Sequence, residues 1–207
     1  MSSALKVLDA VFVTTATKAS QWPREPVPEV AFVGRSNVGK SSMINTLAQR
    51  NKLVRVSNTP GRTRTLNFFD VTMESHAKKR VVRLCDLPGY GFAKVSKVER
   101  EDWHHMISEY LSERHTLKVI VSIIDAEVGP TADDVGMLDF LQGTPPKILV
   151  VGTKIDRIGK SYRKPRLQEL AKKLEVPIEA VVGFSATERI GVSDVWNRLL
   201  ATVDGRG

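Results

Sequence analysis

Residues 34–42 read GRSNVGKSS and follow the apolar run EVAFV at 29–33. From Gly34 to Ser41 the stretch matches G-x-x-x-x-G-K-[ST], which a chain of this length meets by accident roughly 1% of the time. The pattern makes physical sense only where a strand runs into a tight glycine turn and then a helix. The glycines Gly34 and Gly39 let the backbone of Arg35, Ser36, Asn37 and Val38 curl until successive N–H groups point inward at phosphate oxygens. Lys40 adds a point charge for the β and γ phosphates, and the hydroxyl of Ser41 suits Mg²⁺. The positive end of the following helix, which also carries Ser42, favours the same anion. The loop therefore implies a nucleoside triphosphate, without choosing the base.

Further apolar runs recur at 67–73 (NFFDVTM), 81–85 (VVRLC), 118–124 (KVIVSII), 147–151 (KILVV) and 180–184 (AVVGF). Stretches with helical spacing lie between most of them: Met43, Ile44 and Leu47; Met106, Ile107, Tyr110 and Leu111; Val135, Leu138, Phe140 and Leu141. Leu167, Leu170 and Leu174 make a fourth set, and Val195, Trp196, Leu199 and Leu200 a last amphipathic helix. Continuous apolar strands alternating with helices imply a mostly parallel sheet covered on both faces. Seven residues separate 67–73 from 81–85, too few for a crossover helix, so that pair should be antiparallel. The expected fold class is α/β: a three-layer P-loop sandwich with a mostly parallel six-stranded sheet and one antiparallel edge strand. Residues 29–203 form its nucleotide-binding domain. Residues 1–28, with three prolines in WPREPVP at 22–28, read as an extension packing on or leading into the domain, and 204–207 as a short flexible tail.

Charge is the one unusual feature of the composition. Of 207 residues, 31 are Lys or Arg and 23 Asp or Glu, a net +8, which points to an anionic partner and to nucleic acid first. Between Lys154 and Lys173 eight basic residues face two acidic ones, 8 − 2 = +6, so a solvated helix face competes with a polyanion-binding surface. No apolar run reaches the roughly 18 residues of a membrane span, and no leader pattern opens the chain. The single cysteine, Cys85, reads as a buried strand residue in a reducing compartment, so the expected location is the cytoplasm.

Two further motifs narrow the ligand. VVRLC ends at Asp86-Leu87-Pro88-Gly89. A carboxylate at the end of a buried strand is costly unless it is paired or metal-linked, so Asp86 is a candidate for the Mg²⁺ shell, and Gly89 leaves a backbone N–H free for the γ phosphate. After the strand 147–151 come Thr153, Lys154, Ile155 and Asp156. The Asp156 carboxylate can accept from both the ring N–H and the exocyclic amine of guanine, a donor pair that adenine lacks, while the Lys154 stem lies along the base. Past the next strand, amides in Phe184, Ser185 and Ala186 could bind the guanine carbonyl. A switching GTPase also needs a threonine that touches Mg²⁺ and the γ phosphate. Thr59, Thr63 and Thr65 all qualify on chemistry.

GRSNVGKSS, TPGRTRTLNFF (59–69), DLPGYGFAKV (86–95) and TKID (153–156) together closely resemble the EngB family of bacterial GTPases, also called YihA or YsxC. The resemblance runs from about Glu29 to the last helix. It implies a GTP/GDP-binding GTPase in which Lys40, Thr63 and Gly89 serve hydrolysis and Ser41, Thr63 and Asp86 serve the metal. It also implies nucleotide contacts from Gly61, Arg62, Thr63, Arg64 and Thr65. The family implies a role in assembly of the large ribosomal subunit, with a subunit precursor or its rRNA as partner, together with normal cell division and septation. The expected state is a monomer. Tyr90 stands where many GTPases place a water-orienting Gln, so slow intrinsic hydrolysis is expected, raised by a partner or a cation. In related GTPases with the loop asparagine and without that Gln, a potassium ion can sit near the phosphates. Asn37 is thus a candidate K⁺ ligand, against its other use as a turn-stabilising side chain. The GYGFAKV segment (89–95) is expected to be mobile, with Tyr90 and Phe92 exposed near Lys94 and Lys97 for RNA bases, for a protein, or for an anchor back onto the core. His104 and His105 read as surface residues. A P-loop kinase or ATPase is disfavoured by TKID, and a binding module with purely structural GTP would bind its partner alike in either nucleotide state.

Overall fold

A computed structural model of the protein describes residues 5–54, 65–75, 78–90 and 97–205. Among the described residues seven strands form one sheet: β1 (Lys6–Ala16), β2 (Glu29–Gly34), β3 (Leu66–Ser75), β4 (Lys78–Asp86), β5 (Leu117–Asp125), β6 (Lys147–Thr153) and β7 (Val181–Gly183). Their order is β1-β3-β4-β2-β5-β6-β7. β2, β4, β5, β6 and β7 pair in parallel. β3 is antiparallel to both β4 and β1, so it alone runs against the rest. The mostly parallel P-loop fold is as expected. Two details differ: the sheet has a seventh strand, and the antiparallel strand lies one place in from the edge.

The additional strand is β1, within the expected extension. Its register with β3 slips between Val7 and Asp9 and again between Phe12 and Thr14. Each slip reverses the side-chain alternation by which a half-buried strand is recognised. Val7, Ala10 and Ala16 consequently face the core, while Val11 and Phe12 stay exposed.

β2 is buried along its whole length, at the centre of the sheet. Its alternate residues serve opposite faces. Val30 and Phe32 pack with Met43, Ile44 and Leu47 of α1 (Lys40–Leu47) and with Val195, Trp196 and Leu199 of α5 (Val192–Val203). Ala31 and Val33 pack with Ile107, Tyr110 and Leu111 of α2 (Lys97–Glu113) and with Met137 and Leu141 of α3 (Ala132–Gln142). Leu170, Ala171 and Leu174, on and just past α4 (Lys160–Lys173), extend that second layer over Ile124 and Val150. This gives the three layers. Trp196 ties the α1/α5 layer together, its Nε1 donating to the Leu47 carbonyl at the end of α1 (3.1 Å), one of the carbonyls a helix end leaves unpaired.

The N-terminal end of β2 holds a buried charge. Glu29, fully buried, accepts from Tyr110 Oη (2.9 Å) and from the Arg114 guanidinium. Arg114 also donates to the Pro23 carbonyl (2.8 Å) and lies over the Trp22 ring. A buried carboxylate is tolerable when it is paired and hydrogen-bonded in this way, and the network holds residues 22–29 against the domain. Cys85 is buried in β4, where burial pushes its thiol pKa well up. Among the described residues, no helix is long and apolar enough to cross a membrane.

Candidate functional site

The glycine loop leaves β2 at Gly34, in the middle of the sheet. A Cβ at Gly34 would sit 2.8 Å from Val38 Cγ1 and 2.9 Å from the Ile123 carbonyl oxygen, so the loop can close on β5 only without a side chain there. Asn37 (φ 63°) and Gly39 (φ 99°) both take left-handed backbone, and Gly39 caps α1. Asparagine is one of the few non-glycine residues that visit this region readily. The backbone conformation is therefore by itself a reason for Asn37.

β4 delivers its carboxylate beside the loop. Phe32 of β2 is in register with Asp86, whose side chain forms an ion pair with Lys40 Nζ. Both side chains are largely buried, 12% exposed for Lys40 and 5% for Asp86, so neither charge is well solvated by water. The chain continues along the loop: the Ser36 N–H donates to the Tyr90 carbonyl (3.4 Å), and Arg35 and Tyr90 form a parallel bridge. Gly89 lies against it so closely that a Cβ would be 3.2 Å from the Gly34 oxygen and 3.4 Å from the Ser36 nitrogen. Leu87 is buried among the residues packed under α2, and the Pro88 carbonyl accepts from Trp103 Nε1 (3.4 Å).

The base-reading segment is tied to the same loop. Thr153, buried at the end of β6, donates its hydroxyl to the Val38 carbonyl at 2.6 Å, with the Ile124 carbonyl 3.1 Å away. Lys154 takes a left-handed conformation (φ 57°) and places Nζ 2.7 Å from Asp125 Oδ2. Asp125 closes β5 and also accepts from the Glu127 and Val128 N–H groups. Asp125 was not among the expected site residues, although the sequence carries a signal for it: like Asp86, it is a carboxylate directly after a buried apolar strand. Ile155 is buried and its N–H donates to the Phe184 carbonyl (3.2 Å), while Asp156, half-buried, occupies the short 3-10 turn Ile155–Arg157. The Ser185 N–H is committed to the Ile190 carbonyl, which leaves Ala186 as the better candidate for a guanine contact.

Thr65 is half-buried just before β3. Gly61, Arg62, Thr63 and Arg64 lie outside the described residues, as do Thr59 and Gly91 to Val95, so the switch threonine and the expected mobility of the GYGFAKV segment fall there too.

One expectation is overturned. Tyr90 is not exposed: it is 8% exposed, and its hydroxyl donates to Asp134 Oδ1 of α3 at 2.9 Å. Burial first, and then the Asp134 charge, push its phenol pKa far up. Asp134 Oδ2 meanwhile completes a capping box with Thr131, accepting from its N–H (2.8 Å) and hydroxyl (2.7 Å). Tyr90 thus anchors the end of the DLPG segment to a helix N-terminus and offers no platform for a base. His104 and His105 are exposed on α2, and His104 packs edge-on against Trp103.

The arrangement gathers one cation, one carboxylate, a left-handed amide cradle and a closely packed glycine at the head of the central strand, with a second carboxylate loop braced onto the cradle. Residues 29–154 match the model of a family described as 50S ribosome-binding GTPase. The chain is 58% identical to the probable GTP-binding protein EngB of Myxococcus xanthus, over 96% of each chain. Among solved structures it is similar to a probable GTP-binding protein engB, with 26% identity and a TM-score of 0.63, covering 86% of this chain and 100% of that one. It is also similar to Era in complex with MgGDPNP and nucleotides of 16S ribosomal RNA, with 26% identity and a TM-score of 0.64, over 85% of this chain and 56% of that one.

Proposed function

Taking as premise that the chain is a GTPase of the EngB family, to which it belongs, we propose that it is a slow nucleotide switch in large ribosomal subunit assembly. On this reading it binds a subunit precursor or its rRNA in one nucleotide state and leaves in the other, as a cytoplasmic monomer whose activity normal cell division and septation require. The observation that carries the switch is the close approach of Gly89 to Gly34 and Ser36. Through it the glycine loop and the end of the DLPG segment share one backbone surface. The ribosomal partner is supported by the family description of 50S binding and by the solved Era complex with ribosomal RNA.

In this reading the amides of Asn37 and Gly39 bind phosphate oxygens, Lys40 supplies charge, and Gly89 offers its N–H to the γ phosphate. Asp156 accepts from the two guanine donors, and Lys154, steadied by Asp125, lies along the base. The residues fit a magnesium ion: Asp86 is a carboxylate oxygen donor buried at a strand end beside the phosphate cradle, where it already pairs with a cation, Lys40. Ser41 and Asp86, with Thr63 by family resemblance, would hold it. Magnesium when bound neutralises phosphate charge. Tyr90 cannot orient the attacking water while its hydroxyl serves Asp134, so hydrolysis relies on a partner or on a potassium ion near Asn37 for its rate.

The test is sedimentation of the protein with cell extract in GDP or in a non-hydrolysable GTP analogue. Co-migration with large subunits or their precursors in one nucleotide state only is the expected result. Co-migration with no particle, or equally in both states, overturns the reading.

A further inference from the structure

The basic segment Lys154 to Lys173 is not uniform once its partners are known. Lys154 pairs with Asp125, Arg157 with Glu127, Arg163 with Glu188, and both Arg166 and Lys173 with Glu169. Arg166 is further engaged by the Ala126 and Glu127 carbonyls. Those five cations are used in holding α4 and the base-reading loop in place. Lys160, Lys164 and Lys172 are all exposed, and none has an ion pair or side-chain hydrogen bond among the described residues.

The three are not scattered. Positions 160, 164, 168 and 172 are successive members of one i+4 row, with Gln168 filling the remaining place. Such a row forms a ridge on a helix, with neighbours about 6 Å apart along the axis and about 18 Å from first to last. Ser161 and Pro165 are exposed in the row beside it, which continues with Glu169 and Lys173, already paired to each other. Across it stands Tyr162, 70% exposed. The ridge begins four residues after Asp156, on the helix that leaves the base-reading loop.

We propose that the solvent face of α4 is an RNA-docking surface, in which Lys160, Lys164 and Lys172 track phosphates of an unpaired or irregular strand and Tyr162 stacks on a base. An aligned row of unneutralised lysines suits a regularly charged polyanion. The lone exposed ring suits a π-face rather than the cluster of apolar anchors at the centre of a protein interface. Choosing RNA among polyanions rests on the ribosomal reading above.

The test is filter binding of the protein to extracted large-subunit ribosomal RNA across a salt series, beside sedimentation with large-subunit particles. The variants are the triple change Lys160→Gln, Lys164→Gln, Lys172→Gln, then Tyr162→Ala, Tyr162→Phe and, as a control, Lys173→Gln. The triple change should weaken RNA binding at least tenfold, with GTP turnover unchanged. It should also flatten the log–log salt slope by about 2, since each single-strand phosphate left unneutralised removes about 0.7 from that slope. Tyr162→Ala should weaken binding and Tyr162→Phe restore it, whereas Lys173→Gln, already paired to Glu169, should do little. If the triple variant keeps the RNA affinity and salt slope of the parent while the parent follows particles, the docking surface is wrong and the ribosomal role stands. If the ridge binds RNA but the parent follows no particle, the surface stands and the ribosomal role falls. Loss of particle binding by the triple variant with no parent affinity for bare RNA assigns the ridge to a ribosomal protein and overturns RNA docking.

Discussion

Tyr90→Phe removes one hydroxyl and tests how the DLPG segment is held. The lost bond is buried, 2.9 Å long and made to a carboxylate that is itself only 2% exposed. Bonds to charged groups contribute about 1.5–3 kcal/mol. Asp134 keeps both bonds from Thr131, so its charge is not stranded and a loss near the middle of that range, about 2 kcal/mol, is expected. For a chain of this size that corresponds to a melting temperature lower by roughly 4–8 °C. Urea unfolding of the parent, Tyr90→Phe, Asp134→Ala and the double variant gives the coupling energy directly, and about 1 kcal/mol or more is expected. The pH profile adds a second signature. The folded phenol has a raised pKa, whereas in the unfolded chain it titrates near 10. The stability it contributes is therefore complete below pH 10 and is lost as the pH climbs toward the folded value. The alkaline fall in stability should be shallower in Tyr90→Phe than in the parent. A stability change under about 0.5 kcal/mol with no coupling to Asp134 would refute the anchor.

Lys40→Ala leaves Asp86 buried without its cation, so a stability loss of about 3–5 kcal/mol is expected. Weaker binding of GTP and GDP alike should accompany it, read by nucleotide titration and urea unfolding; unchanged stability would show that the ion pair is not formed in solution. For Asn37 the comparison is turnover in KCl and NaCl at equal ionic strength. Faster hydrolysis in KCl is expected, and equal rates would leave Asn37 only its backbone role.

The parts of the site that are legible in the sequence are those whose residue types are dictated locally. Gly34, Gly39 and Lys40 are spaced by the cradle itself, and Asp86 stands out as a charge at the end of VVRLC. Gly89 is legible as a motif, but its closeness to Gly34 and Ser36 depends on how β4 sits beside β2. Burial of Tyr90 is hidden because its partner is 44 residues further on, and Asp134 in isolation looks like an ordinary helix cap. β1 is hidden because two register slips break the alternation that marks a strand. The eight cations of 154–173 are countable, but only their partners separate those that hold the fold together from those left facing solvent.

Guanine recognition by Asp156 is the central claim about the ligand, and calorimetric titration of the parent and Asp156→Asn with GDP and xanthosine diphosphate measures it. The parent should prefer GDP. Asp156→Asn removes a charged acceptor that serves two donors, worth about 3 kcal/mol or more, so GDP affinity should fall about a hundredfold or more while xanthosine diphosphate, with its inverted donor–acceptor pattern, gains. Unchanged GDP affinity in the variant, with no gain for xanthosine diphosphate, would contradict the assignment.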